Sequence, residues 1–219
     1  MDKKYKAIIF DLDGTLINSI PDIADSMNEV LSAYGYPQYN HNQYKYFVGN
    51  GIKKLVERCV PPEYATPENI ANIFRTMIDV YGNNCVNKTH VYEGIYELLD
   101  DLSAKRVKMA ILSNKTDSIT QKIYDKLFRD CHFELVLGAT DNFPKKPNPA
   151  SALFVAESLS VAPYEVFYLG DTSIDMETAC SAGFFPAGAS WGFRPAEELL
   201  SFGAKFIAET PNDCLRFFE

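Results

Sequence analysis

Three short polar clusters each follow an apolar run that reads as a buried strand. Asp11 and Asp13 follow Ala7-Ile8-Ile9-Phe10, Ser113 and Asn114 follow Val107–Leu112, and Asp171 and Asp175 follow Val166-Phe167-Tyr168-Leu169. A pair of lysines, Lys145 and Lys146, follows a fourth short run at Leu135-Val136-Leu137. In a parallel sheet, residues just past the strands' carboxyl ends share one edge, where such folds place their sites. Several carboxylates gathered there repel one another unless a cation neutralises them. Oxygen-only donors suit Mg²⁺, which takes few carboxylates and keeps some waters. A lysine beside them would hold a further anion, as a phosphate would be.

Each cluster taken singly has an ordinary explanation. Asp-x-Asp-Gly is common in turns, and Lys146-Pro147-Asn148-Pro149 reads as a loop before a helix. Gly170-Asp171 could be a turn with an N-cap, and Ser113 or Thr116 could cap the next helix. Those explanations leave unaddressed why all the clusters sit at strand ends.

The elements that must position them follow from apolar spacing. Ser19 is a candidate N-cap with Pro21 in the first turn, and apolar residues from Ile20 to Tyr34 recur at helical period up to Gly35. From Pro37 to Cys85 the pattern is helical or irregular, with no strand-like run. Beyond it strand and helix alternate: helix 95–102, strand 107–112, a helix carrying Ile119, Ile123 and Leu127, strand 135–137, helix 152–159, strand 166–169, helix 174–182, strand 184–189 and an edge strand over 205–208. Alternation of this kind specifies an α/β fold, a parallel sheet covered on both faces. The helical segment is then an insert after the first strand.

Composition narrows the function classes. The chain has 219 residues, 47% hydrophobic and 23% charged, as a globular protein does. With 21 Lys plus Arg against 29 Asp plus Glu its formal charge is −8, which disfavours nucleic acid and anionic membranes as partners. The five cysteines are scattered and form no C-x-x-C, so neither a disulfide framework nor a zinc knuckle is expected, and a cytoplasmic setting is the simplest. Met1–Lys6 leads straight into the first apolar run without a signal-peptide core, and no stretch is long and apolar enough to span a membrane. The three histidines match no metal spacing. Tyr34, Tyr36, Tyr39, Tyr44, Tyr46 and Phe47 read as core of the insert rather than a base-stacking platform. Trp191-Gly192-Phe193-Arg194 falls after the last of these clusters, on a loop that could border the site, with the role of Arg194 left open.

The set Asp11-Leu12-Asp13-Gly14-Thr15-Leu16, Ser113-Asn114-Lys115, Lys146-Pro147-Asn148-Pro149 and Gly170-Asp171-Thr172-Ser173-Ile174-Asp175 resembles the four signature motifs of the haloacid dehalogenase-like hydrolase superfamily, in order and over essentially the whole chain. Within it, Val48-Gly49-Asn50-Gly51 and Tyr92-Glu93-Gly94 are similar to the phosphoglycolate phosphatases, with Glu93 where proline is usual. The resemblance implies a Rossmann-like core over 1–16 and 86–219 with a helical cap over 17–85. It implies that Asp11 is the nucleophile, forming a phospho-aspartate, and Asp13 the general acid and base. Mg²⁺ would be held by Asp11, the Asp13 carbonyl and Asp171, with Asp175 close by or acting through water. Ser113, the Asn114 backbone and Lys146 would bind the phosphoryl oxygens. The expected substrate is a small phosphorylated metabolite, 2-phosphoglycolate first, whose carboxylate would meet Gly49, Asn50, Gly51 and Lys53. A pyrophosphatase, a nucleotide phosphatase and a phosphosugar mutase remain as alternatives. A phospho-receiver domain is disfavoured, because its acceptor aspartate follows a later strand in a shorter chain.

Overall fold

A computed structural model describes residues 5–219; Met1–Lys4, where the expected core segment begins, lie outside the described residues. In chain order the elements are β1 (Ala7–Phe10), β2 (Ile17–Asn18), α1 (Ile20–Ala33), α2 (His41–Phe47), α3 (Ile52–Cys59), α4 (Pro67–Asn84), β3 (His90–Val91), α5 (Ile95–Ala104), β4 (Lys108–Thr116), α6 (Asp117–Leu127), β5 (Leu135–Ala139), α7 (Ala150–Ser158), β6 (Val166–Gly170), α8 (Ser173–Ala182), β7 (Phe185–Ala189), α9 (Ala196–Ser201) and β8 (Phe206–Ala208). Short 3₁₀ turns cover Pro62–Tyr64, Pro163–Glu165 and Pro211–Phe218. The chain divides into two compact units, one gathering residues up to Asn18 with Val91–Glu219, the other Ser19–His90.

The larger unit is built on a six-stranded sheet of order β5-β4-β1-β6-β7-β8. Every pairing is parallel. The four residues of β1 are all fully buried, as a central strand covered on both faces must be. On one face Ile9, Leu112 and Tyr168 pack with Ala152 and Val155 of α7, Leu159 just past its end, and Ala179 and Ala182 of α8. On the other, Tyr5 and Phe167 meet Phe217 and Phe218 of the C-terminal turn at ring-centroid distances of 5.0–6.5 Å. Each such fully buried large side chain contributes roughly 1.5–3 kcal/mol of transfer free energy.

Register decides where the polar clusters fall. Phe10 pairs with Ile111 on one side and Leu169 on the other. Asp11 is therefore level with Leu112 and Gly170, so Ser113 and Asp171 stand one residue further along the same edge. Two strands run longer than their apolar cores indicate. β4 continues through Ser113-Asn114-Lys115 to Thr116, with its pairing to β5 irregular between Leu112 and Thr116, and β5 extends to Ala139. Apolar content marked where these strands enter the core, not where their backbones stop. The β2–β3 pair, two residues each, is too short to leave a periodic signal.

The smaller unit is helical. Ser19 occupies the N-cap of α1 without a side-chain cap bond. Asp22, in the first turn, is buried and accepts from the backbone amides of Lys88 and Thr89. The tyrosine-rich stretch is not one cluster. Tyr39, Tyr44 and Phe47 form an edge-to-face trio, held by Asn28, with Tyr44 fully buried. Tyr34 and Tyr36 instead stack towards Tyr64, and Tyr46 is exposed.

Candidate active site

The sheet edge carries four carboxylates, Asp11, Asp13, Asp171 and Asp175, and two ammonium groups, those of Lys115 and Lys146. Asp11, the first residue past β1, is buried, and its Oδ1 lies 3.0 Å from Lys146 Nζ. The chain then turns back on itself through Gly14, at φ 87°, where any Cβ would overlap the Asp171 carboxylate. That turn brings Thr15 Oγ1 to donate to Asp171 Oδ1 at 3.1 Å. Asp171 follows β6 and is wholly buried; its Oδ2 accepts the Phe193 amide at 2.8 Å. Asp175 lies in the first turn of α8, in a capping box with Thr172, whose amide and hydroxyl both donate to Oδ2. Its other oxygen, Oδ1, is 2.7 Å from Lys146 Nζ and accepts the Tyr168 hydroxyl at 3.2 Å.

Lys146 is consequently held from several directions. Its ammonium also reaches the Leu112 carbonyl and the Tyr168 hydroxyl, each at 3.0 Å. Its backbone is fixed by Asn114: the carboxamide oxygen accepts the Lys146 amide at 2.9 Å, and the carboxamide nitrogen donates to the Lys146 carbonyl at 3.0 Å. This reciprocal clasp occupies the Asn114 side chain. Ser113 Oγ accepts the Lys115 amide at 3.2 Å.

One oxygen each from Asp11, Asp171 and Asp175 lie within 4.8 Å of one another, all buried. Asp13 stands apart, because its Oδ1 is paired with Lys115 Nζ at 2.6 Å, in a contact almost closed to solvent. The electrostatics follow. Burial, and then the Asp175 charge, push Asp11 from 3.8 up to about 7, against the opposing pull of Lys146. Burial, followed by Asp11 and Asp175, pushes Asp171 well above the usual carboxylate range. Lys146 is buried, and the charges of Asp11 and Asp175 raise it well above an ordinary lysine. Four carboxylates against two ammonium groups leave a formal charge of −2 at the edge. A divalent cation would cancel that charge. The donors are all oxygens and already converge, so they fit Mg²⁺ in kind.

The residues singled out in the core, Asp11, Asp13, Ser113, Asn114, Lys146, Asp171 and Asp175, are thus brought to one edge. Lys145 is not drawn in, since its neighbour fills the position between Asp11 and Asp175. In the smaller unit, Gly49, Asn50 and Gly51 form the loop before α3, which starts at Ile52 with Gly51 at its N-cap. Lys53, in its first turn, is exposed. The Asn50 carboxamide oxygen accepts from Arg58 at 2.7 Å, and Arg58 also donates to the Phe47 carbonyl at 2.7 Å.

Sequence reasoning missed Lys115, Thr15, Tyr168, Phe193 and Arg58 as parts of these arrangements. Two left a signal. Tyr168 is the one hydroxyl in an otherwise apolar buried strand and must find a partner there. Lys115, next to Ser113-Asn114 at a strand end, needs a countercharge if buried. Phe193 acts through its backbone amide, which no side-chain pattern reveals.

A buried carboxylate after the first strand, a lysine paired with it and an acidic pair after β6 form one buried edge. The chain belongs to the haloacid dehalogenase-like hydrolase family, whose model matches residues 8–189. It is 32% identical over 214 residues to a phosphoglycolate phosphatase of Aquifex aeolicus, covering 98% of this chain and 97% of that one. It is 30% identical over 216 residues to a phosphoglycolate phosphatase of Vibrio parahaemolyticus, covering 96% and 94%. A crystal structure of a predicted phosphoglycolate phosphatase from Haemophilus somnus 129pt superposes with a TM-score of 0.91 over the full length of both chains, at 28% identity. The fold is the Rossmann-like α/β core of that family.

Proposed function

We propose that the protein is a Mg²⁺-dependent phosphatase that hydrolyses a small phosphate monoester, 2-phosphoglycolate first among candidates, through a phospho-aspartate on Asp11. The observation that carries the reading is the buried edge where Asp11, Asp171 and Asp175 converge on one another and on Lys146. The relatives' names supply the substrate class.

The reaction is written in two displacements. Asp11 attacks phosphorus and the ester oxygen leaves with a proton from Asp13. Asp13 then takes a proton from water, which attacks the acyl phosphate and releases inorganic phosphate, regenerating Asp11. Ser113, the Asn114 backbone and Lys146 bind the phosphoryl oxygens and stabilise the charge that builds on them. Asp11, the Asp13 carbonyl and Asp171 would hold Mg²⁺, which would supply the positive charge that lets an anionic nucleophile meet an anionic phosphate. Both oxygens of Asp175 are already occupied by Thr172, Tyr168 and Lys146, which favours a role in orienting the lysine over direct ligation.

The segment 17–85 takes the part of a cap in this reading and selects the leaving group. Gly49-Asn50-Gly51 and Lys53 are its candidates for the substrate carboxylate, because α3 turns free amides towards its N-terminal end. Arg58 braces that loop through Asn50.

The test is phosphate release across phosphoglycolate, pyrophosphate, nucleotides and hexose phosphates, with the wild type and Asp11→Asn. Turnover of phosphoglycolate, absent in Asp11→Asn and in EDTA, is expected. Release from pyrophosphate or nucleotides alone would overturn the substrate, transfer of phosphate between sugar positions would favour a mutase, and wild-type turnover by Asp11→Asn would overturn the mechanism.

A further inference from the structure

Among the described residues Asp171 is the most completely buried carboxylate, and part of its enclosure comes from a segment with no part in the proposed chemistry. After β7 the chain makes the loop Ser190-Trp191-Gly192-Phe193. Ser190 is tied to β8 by its amide, which donates to the Ala208 carbonyl at 3.0 Å. Trp191 Nε1 donates to the Thr15 carbonyl at 3.0 Å, joining the loop to the turn that follows Asp11. Gly192 lies flat against Asp171: a Cβ there would collide with the Asp171 Cβ and stand 2.6 Å from the Gly14 carbonyl oxygen. Phe193 then delivers its amide to Asp171 Oδ2 at 2.8 Å while Thr15 holds Oδ1. Asp171 is thereby sandwiched between the backbones of Gly14 and Gly192, with a donor on each oxygen.

A carboxylate so held has one orientation, with one of its oxygens within 4.8 Å of oxygens of Asp11 and Asp175, the other members of the acidic group. We propose that the Trp191-Gly192-Phe193 loop is a positioning device for the cation site, fixing Asp171 for Mg²⁺ from a segment some 180 residues from Asp11. The inference rests on the metal reading above. Groups that orient a metal ligand from behind it typically change metal affinity by about 10–100-fold when altered. Gly192 requires the absence of a side chain, since even a methyl group must displace Asp171 or Gly14. Trp191 acts at one remove, through Thr15.

Isothermal titration calorimetry of Mg²⁺ into the EDTA-stripped, dialysed protein tests this without reference to activity. Gly192→Ala should weaken Mg²⁺ binding by about tenfold or more. Trp191→Phe, which keeps an aromatic ring but deletes the N–H, should weaken it by about fivefold, the worth of one hydrogen bond. Circular dichroism establishes that each variant is folded, and should Gly192→Ala fail that check, Trp191→Phe decides. A folded Gly192→Ala, or in its absence Trp191→Phe, that binds Mg²⁺ as tightly as the wild type overturns the positioning role while leaving the metal reading intact. A wild type that takes up no Mg²⁺ overturns the metal reading, and the positioning role falls with it.

Discussion

Without a cation, the stability of this protein should fall as pH rises through neutrality, and Mg²⁺ should reverse that trend. Asp11 titrates near 7 in the folded chain against 3.8 for an ordinary aspartate, chiefly because it is buried and faces Asp175. Between those values the folded chain holds a proton that the unfolded chain has released. Stability from this group is therefore present at low pH and lost as pH rises through about 7. Linkage puts the loss between pH 5.5 and 8 at about 2 kcal/mol for Asp11 alone. Asp171, raised for the same reason, acts in the same direction. A cation competes with these protons, so at pH 8 a concentration 100-fold above its dissociation constant should add about 2.7 kcal/mol. Urea denaturation in EDTA and in excess Mg²⁺, at pH 5.5, 7 and 8, measures both arms. Asp11→Asn supplies the reference, since titration of the exposed carboxylates is common to both proteins, while loss of the Asp11 charge also relieves Asp171. The difference in stability between wild type and Asp11→Asn in EDTA should shift by about 2 kcal/mol over that pH range. A difference independent of pH would show that Asp11 is not the strained carboxylate described, and no Mg²⁺ stabilisation at pH 8 would remove the cation from the site.

Further outcomes follow from single contacts. Asp13→Asn should lower turnover of an alkyl phosphate by at least about 10²-fold and that of nitrophenyl phosphate much less, since nitrophenolate leaves without a proton; equal losses would leave Asp13 only a shaping role. Lys115→Met should destabilise the fold by about 3 kcal/mol in urea, the low end for breaking a buried pair, because Asp13 keeps slight access to water. Adding Asp13→Asn to Lys115→Met should recover at least half of that, and no recovery would mean the pair is not what Lys115 contributes. EDTA should abolish phosphate release and Mg²⁺ restore it, with Asp171→Ala raising the Mg²⁺ requirement more than Asp175→Ala does; the reverse order would make Asp175 the direct ligand.

Much of the larger unit was legible because its strands are fully buried and its motifs sit where those strands stop. Ala7–Phe10 and Val166–Leu169 could hardly be anything but central strands, and Asp11 and Asp171 then had to share an edge. Ends were less legible than interiors. Ser113-Asn114-Lys115 looked like a loop after a strand because polar residues normally mark one, yet hydrogen bonding with β5 carries β4 on to Thr116. Ser19 and Asp22 show another limit. Spacing identified the start of α1, but Asp22 serves two amides more than sixty residues away, a long-range bond that no local pattern encodes. The tyrosines of 34–46 were read as one cluster because composition carries no direction, whereas packing sends them to two places.

The two lysines make the same point about charge. By formal count the chain is −8, and anything anionic should be repelled from it at a distance. That count is silent on where the positive charge goes, and here Lys115 and Lys146 are both buried at the acidic edge, each against a different carboxylate. Lys146 makes an ion pair with Asp11, the proposed nucleophile, and Lys115 with Asp13, the proposed proton-transfer group. In the proposed reaction this division has a consequence. Converting Asp11 to an acyl phosphate changes the partner of Lys146 from a carboxylate to phosphoryl oxygens, so that ammonium can follow the migrating charge without leaving its clasp on Asn114 and Asp175. Lys115 stays with Asp13 and keeps that carboxylate from joining the Asp11, Asp171 and Asp175 group, where a fourth negative oxygen would compete for the same cation. In the proposed reaction the two reacting carboxylates, Asp11 and Asp13, thus have different lysines, and removing either lysine should impair one step more than the other.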